Sequence, residues 1–394
     1  MKINFQRFIA DTAFIWEPYV QKFHAPDRPH EIVVTEISDD RVLVRDPFVS
    51  IVILTYNHGK MLKECVQSVL MQQTEYSFEV IIANDSSTDH TTDICLRLQR
   101  EHSEKIRVLN GNVNVGSIRN AVRGIQRCRG KYIACIDGDD FYLSPFKIQK
   151  QVSYLINHPD VAACFSSFYQ QLNNWAFTRT PIRNKTKRQY LQLNQISKEA
   201  RANLILRRNR LAPICAFFRA DSARFSVGRI QKLFKIVEWF PCQDFELWYY
   251  ISFTGRIHFI PEELCVYRTN PMSASNQADQ CVAYARSFGD ACNKLSMIQD
   301  APSFITDESK DFVERLVIDS LVNYLRLTDS TNCLTDYLKN VLDSFGYTDE
   351  ELFHSNNKHW LGKMSSWFRY KSSRFRGTAL GYLLRRWLIS VFGL

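Results

Sequence analysis

Between residues 48 and 136 the chain alternates four short, largely apolar runs with three segments of helical spacing. The runs are FVSIVIL (48–54), FEVIIA (78–83), KIRVLN (105–110) and KYIACI (131–136). Each has the length of a strand rather than of a buried helix. Of the intervening segments, GKMLKECVQSVLMQ puts Met61, Leu62, Cys65, Val66, Val69 and Leu70 on one helical face; TTDICLRLQREH and SIRNAVRGIQRC read likewise as helices. Strands that are apolar on both faces and alternate with helices require a parallel sheet covered on both sides, so the fold class is α/β. The pattern continues with a helix (SPFKIQKQVSYLINHP), a strand (VAACFSSF), a polar basic stretch from about 170 to 210, a strand (APICAFFRA), a helix (QDFELWYYISFTG) and a last extended segment (RIHFIPEELCVYR). Beyond residue 275 the signal is helical. We therefore expect an N-terminal extension (1–47) with no assigned role, in which PHEIVVTEI is a possible strand. A central domain (48–275, with halves 48–168 and 169–275) and a helical C-terminal region (276–394) follow.

In open parallel sheets, ligands bind beyond the carboxyl ends of the strands. The segments in that position are TYNHG, NDSSTD, GNVNVGSIRN and DGDD, all rich in amides or carboxylates. Neither G-x-G-x-x-G nor a Walker sequence is present, so any phosphate must be held in another way. Asp137 and Asp139 flank Gly138, which lets the backbone turn sharply while both carboxylates face one cation. Magnesium or manganese binds through one or two carboxylates plus substrate phosphates. A bare D-x-D is more often an acidic turn, but its position at a strand end beside the other polar loops favours a cation site.

The order and spacing of VSIVILTYNHGKMLKECVQSVLMQ, FEVIIANDSSTDHT, NVNVGSIRNAVRGIQRC and GKYIACIDGDDFY resemble the nucleotide-sugar half of a family 2 glycosyltransferase of GT-A fold, over roughly residues 48–270. The resemblance implies a Rossmann-like, mostly parallel sheet with helices on both faces. It implies that Thr55 and Tyr56 border the nucleobase, that Asn57 belongs to the donor site, and that Asp85 bonds a uracil ring. Arg119 would approach the nucleotide, and Asp137 and Asp139 would serve the ribose and a divalent cation, Mn2+ or Mg2+. Asp244 matches the acidic catalytic-base position, which the family usually precedes with Glu; here Gln243 stands there. Read from the residues alone, Asp244 is equally a helix cap. A further departure is YRTN, where similar enzymes often read Tyr-Arg-x-His; Asn270 is a weaker metal ligand, and His258, otherwise a strand residue, is the alternative. The implied activity is an inverting transfer from a UDP-sugar to a surface-polysaccharide or lipid-linked glycan acceptor. Two alternatives are a non-catalytic nucleotide- or glycan-binding protein on this fold, and a nucleotidyltransferase.

Charge is uneven. Residues 179–210 hold ten Lys/Arg and one acid, and residues 360–394 hold seven Lys/Arg and none, against +9 for the whole chain. The rest is therefore net acidic, which argues against a nucleic-acid partner. The first basic segment is either a solvated loop and helix or the binding surface for an anionic, lipid-diphosphate-linked acceptor. The second interleaves Trp, Phe, Tyr and Leu with Arg and Lys, as a helix lying on an anionic membrane would; the alternative is a helix docked on the protein's own core. Eleven cysteines with no C-x-x-C spacing suggest reduced thiols rather than a disulfide or zinc framework. With no visible secretory signal or membrane-spanning stretch, the expected location is cytoplasmic, on the inner face of the cell membrane.

Overall fold

The computed structural model describes residues 3, 5–12, 15, 33–172, 179–181, 184–207, 211–234, 244–269, 280–299, 301–328 and 336–345. Contacts divide the chain into one compact unit, Lys2–Tyr324, and a second formed by Leu325–Leu394 with Met1.

The first unit is built on a ten-stranded sheet. Its strands are β1 (Val34–Ile37), β2 (Val49–Thr55), β3 (Phe78–Asn84), β4 (Ile106–Gly111), β5 (Tyr132–Asp137), β6 (Phe141–Tyr142), β7 (Val161–Leu172), β8 (Arg179–Pro181), β9 (Ala216–Arg219) and β10 (Arg256–Thr269). The order across the sheet is β1-β4-β3-β2-β5-β9-β7-β10-β6, with β8 on the side of β7. β4, β3, β2 and β5 pair in parallel, as do β7 and β10. β9 lies antiparallel between β5 and β7, so β7 and β10 point the same way as the first four. Six strands thus end on one edge, while β1, β6, β8 and β9 run against them. The sheet is the mostly parallel one expected, with an antiparallel strand inserted at its centre.

Every residue of β2 and β3 is buried, because helices cover both faces. The described helices of this unit are α1 (Phe5–Asp11), α2 (Leu62–Leu70), α3 (Thr91–Glu101), α4 (Ser117–Gln126), α5 (Lys147–Asn157), α6 (Asn184–Leu193), α7 (Lys198–Arg207), α8 (Ala220–Leu233), α9 (Asp244–Ile251), α10 (Gln280–Gln299) and most of α11 (Asp307–Thr328); α12 (Asp336–Ser344) belongs to the second unit. α4 lies on β2 and β3, so close that a Cβ on Gly124 would come within 2.4 Å of Val52. α9 is buried along its length from Phe245 to Ile251, and its Trp248 meets Phe165 and Phe218 edge-on at 6.0 and 5.2 Å. α9 sits against α7 and α8, and its buried acid Glu246 accepts from Asn293 Nδ2 at 3.0 Å.

Of the two remaining strand expectations, PHEIVVTEI gains a place in the sheet and APICAFFRA is shortened. Val34–Ile37 of the N-terminal extension joins the sheet as an edge strand on β4. Only the end of APICAFFRA is a strand: Pro213–Cys215 forms a 3-10 turn, and the chain then enters α8. None of the described helices is long and apolar enough to cross a membrane. The basic tail at 360–394 lies outside the described residues, as do Gln243 and Asn270.

Candidate active site at the carboxyl edge of the sheet

Thr55, Asp85 and Asp137 follow from the ends of β2, β3 and β5, adjacent strands in parallel register. The sheet therefore gathers the three polar loops on one edge. The β2 loop turns through Asn57, which has a positive φ of 56°. Asn57 Oδ1 accepts from the main-chain N–H groups of Thr88 (2.8 Å) and Asp89 (3.3 Å), and its own N–H donates to Ser87 Oγ at 3.0 Å. Asn57 thus ties the β2 loop to the β3 loop, while Tyr56 beside it is 42% exposed.

Asp85 is buried behind the same edge. Its Oδ1 accepts from Val115 N (3.0 Å) and Arg123 Nη2 (3.2 Å), and its Oδ2 from Gly116 N (2.9 Å). It thereby holds the entry to α4, where Gly116 takes a φ of 84° that L side chains rarely adopt. Burial pushes the Asp85 carboxyl up to about 6, against the pull of Arg123 and the two N–H groups. Arg123 also donates to Asn84 O at 2.7 Å and to Asn120 Oδ1 at 2.6 Å. Arg119, one turn earlier, lies with its guanidinium 4.1 Å from the centre of the Phe234 ring.

After β5 the chain turns through Gly138, whose N–H donates to Leu54 O at 2.8 Å. A Cβ there would meet His58 Nδ1 at 2.9 Å and Thr55 Oγ1 at 3.0 Å, so glycine is required for this close approach. Both of those atoms are buried without a hydrogen-bond partner. Burial holds the His58 imidazole below its ordinary value, against the attraction of Asp139 and Asp89. Asp139 and Asp140 are 9% and 1% exposed. Asp140 is pushed well above the usual carboxylate range by burial and by the like charges of Asp139 and Asp137. Its Oδ1 accepts from Arg268 N at 2.7 Å, and its Oδ2 is buried with no partner. Arg268 Nη1 donates to Asp139 O at 2.9 Å.

The structure thus brings together Thr55, Tyr56, Asn57, Asp85, Asp137 and Asp139. His58, Arg123 and Arg268 stand with them, although the sequence reading assigned them no role. Arg123 had one signal: it is one helical turn from Arg119 in the same motif. Arg268 also had one, as the Arg of YRTN, but its partners lie 128 and 129 residues away, so its contacts with the acidic turn were not legible. Asp244 is the first residue of α9. His258 is elsewhere: it lies near the start of β10, ten positions before Arg268, which corresponds to roughly 30 Å along a strand. There it stacks on Tyr154 at 4.0 Å, and the Tyr154 hydroxyl bonds its Nδ1 at 3.0 Å. Among the described residues no group of three or more His, Cys, Asp or Glu side chains is arranged to hold a metal ion. The basic segment is partly committed to structure as well. Lys187 pairs with Glu263, and the fully buried Arg201 donates to the carbonyls of Leu193 and Ile196. Cys65, Cys95, Cys128, Cys135, Cys164, Cys215, Cys265 and Cys292 are free and buried.

Residues 50–215 match the family model described as "Glycosyl transferase family 2". An uncharacterised protein of Mycobacterium tuberculosis is 36% identical over 116 residues, covering 29% of this chain and 34% of that protein. An uncharacterised glycosyltransferase of Methanocaldococcus jannaschii is 32% identical over 124 residues, covering 31% of this chain and 42% of that one. Glycosyltransferase GlyG of Streptococcus pneumoniae is 36% identical over 92 residues, covering 23% of this chain and 30% of its own. The chain thus spans well under two thirds of these curated relatives. A solved mannosyltransferase, PcManGT from Pyrobaculum calidifontis in complex with GDP-Man and Mn2+, has a TM-score of 0.46 and 15% identity, over 98% of this chain and 96% of that one.

Proposed function

The chain carries a family 2 glycosyltransferase domain over residues 50–215, and on that premise we propose that it moves one sugar from a nucleotide-diphospho-sugar to a glycan acceptor. The donor is a UDP-sugar. The observation that carries this reading is the convergence of Thr55, Asp85, Asp137 and Asp139 on one sheet edge, where burial and the like charges of Asp139 and Asp137 push Asp140 well above the usual carboxylate range.

In this reading Tyr56 covers the nucleobase, Asp85 accepts its ring N–H, and the Arg119 and Asp137 side chains contact the nucleotide. The donor set at the turn is all carboxylate oxygen, which suits Mg2+ or Mn2+, and Oδ2 of Asp140 is buried beside it with no hydrogen-bond partner. Asp139, with Asp137, would hold the cation, and substrate phosphates would complete its coordination. When bound, the cation neutralises charge on the departing diphosphate.

Asp244 acts as general base. It takes the proton of the acceptor hydroxyl, whose oxygen attacks the anomeric carbon from the face opposite the nucleotide. The bond from that carbon to the diphosphate oxygen breaks with its electron pair going to the diphosphate, and configuration inverts. Loss of such a base costs about 10²–10⁴ in rate. The acceptor is a surface-polysaccharide or lipid-diphosphate-linked glycan met by exposed cations such as Arg188 and Lys198. The 360–394 tail lies on the anionic inner face of the membrane.

Calorimetric titration with UDP, GDP and CMP, with and without Mn2+, tests the donor site. Metal-dependent UDP binding that Asp139→Ala abolishes is the expected result. Selective GDP binding changes the donor and keeps the reaction class; no nucleotide binding under either condition overturns the proposal.

A further inference from the structure

The acids of the turn between β5 and β6 are not equivalent, and one residue of β10 separates two of them. The main-chain N–H of Arg268 donates to Asp140 Oδ1 at 2.7 Å, and Arg268 Nη1 donates to the main-chain carbonyl of Asp139 at 2.9 Å. The same guanidinium lies 4.5 Å from the centre of the Phe141 ring, and its Nη2 pairs with Glu64 on α2. Arg268 thus grips the turn by the carbonyl of Asp139 and by the side chain of Asp140. Among the described residues no hydrogen bond or ion pair is formed with the Asp139 carboxylate.

The topology calls for such a grip. From Asp137, the last residue of β5, to Phe141, the first of β6, the chain takes four steps, which reach about 14 Å at most. In the strand order β9, β7 and β10 stand between these two strands, and the four spacings would measure about 19 Å in a flat sheet. The sheet therefore curls, which brings the end of β10 against the turn. β6 itself offers β10 a ladder of two residue pairs, Tyr142 with Cys265 and Phe141 with Val266. Taking Asp139 as a ligand of the cation proposed above, we propose that Asp140 is a positioning residue, whose carboxyl fastens the acidic turn to the main chain of β10 and leaves the cation to Asp139.

This role needs an acceptor at Oδ1, not a charge. Asp140→Asn has the same shape, keeps that acceptor, and puts its amide nitrogen where Oδ2 has no hydrogen-bond partner among the described residues. Asp140→Ala removes the acceptor, and Asp140→Ser leaves a hydroxyl one bond too short to reach the Arg268 N–H. Loss of a group that orients a metal ligand typically costs about 10–100-fold in metal affinity. Asp139→Asn, by contrast, removes the ligand itself.

The test measures Mn2+ binding by electron paramagnetic resonance in the presence of UDP, on the full chain, with the melting temperature of each variant. The expected result is wild-type Mn2+ affinity in Asp140→Asn and a loss of about 10–100-fold in Asp140→Ala and Asp140→Ser. Saturating Mn2+ should restore UDP affinity in those two variants but not in Asp139→Asn. If Asp140→Asn loses as much as Asp139→Asn, Asp140 binds the cation through its charge and this inference falls alone. Unchanged Mn2+ affinity in the alanine and serine variants overturns it equally. Unfolding of both would make the bond a support of the whole fold and overturns a role confined to the site. A wild type that binds neither Mn2+ nor UDP overturns the inference together with the reading on which it rests.

Discussion

Asp85 carries two demands that pull in opposite directions with pH. Its carboxyl, raised to about 6 by burial, must be ionised to hold Arg123 and, in the proposed site, to accept a nucleobase N–H. A carboxyl whose folded value lies above its unfolded one binds more protons in the folded state across that interval, so its contribution to stability is lost as pH rises from about 4 to about 6. Binding and stability therefore diverge over this window. UDP affinity measured by calorimetry should decline below pH 6, approaching tenfold per unit, while the contribution of this group to stability grows. Asp85→Asn should bind UDP weakly and without that inflection. Any pH dependence shared by both proteins belongs to other groups, the UDP phosphates included, and only the difference belongs to Asp85. Identical profiles would remove Asp85 from nucleobase recognition.

At the scale of elements, the opposite edge of the sheet carries a separate polar network. Glu79, fully buried near the start of β3, accepts from Ser50 Oγ on β2 (2.7 Å), Arg107 Nη1 on β4 (3.0 Å) and Arg129 Nε and Nη2 before β5 (2.9 and 2.8 Å). Arg107 also pairs with Glu36 on β1. Burial alone would raise the Glu79 carboxyl, but the bonds from Arg129 and Ser50, with the Arg107 charge, outweigh it and hold the group below its usual range. Removing one member of such a network leaves buried charges unpaired, so Glu79→Ala should cost about 3–5 kcal/mol in urea denaturation. Nucleotide affinity of the folded protein should not change, because the network lies at the other end of the strands. Loss of binding at wild-type stability would contradict this division. The same contrast explains what the sequence made legible. The apolar runs of β2 to β5 and the helices between them are local signals, and so are the acids and amides that follow each strand. Insertion of β9 between β5 and β7, pairing of the two-residue β6 with β10, and the grip of Arg268 on the acidic turn depend on partners far along the chain. No local periodicity encodes them. Asn57 shows the limit from the other side: its place at the end of β2 was legible, but its role in bridging two loops was not, because that depends on where Thr88 and Asp89 fall in space.

For the whole molecule, the division of charge sets what the protein meets. Of the chain's net +9, residues 360–394 hold +7, so in the proposed reading this basic, aromatic tail is one of two segments, with 179–210, that an anionic surface attracts. Each Lys or Arg close to an anionic bilayer contributes about 1 kcal/mol, and the effect is screened beyond about 10 Å at 0.1 M salt. Replacing Arg385 and Arg386 together by alanine should thus weaken binding to anionic vesicles by about 30-fold at low salt. Co-sedimentation with phosphatidylglycerol vesicles, against phosphatidylcholine controls and a salt series, measures this directly. Binding that is equal on neutral vesicles, or indifferent to salt, would mean the aromatic residues and not the charges hold the tail. The competing arrangement, a tail docked on the protein's own core, makes a different demand: truncation at residue 359 would then lower the melting temperature in the absence of any membrane. A tail that serves the membrane leaves that temperature unchanged and confines its effect to vesicle binding. Transfer to a soluble acceptor would then persist, while transfer to a lipid-linked acceptor in vesicles falls with the loss of surface binding.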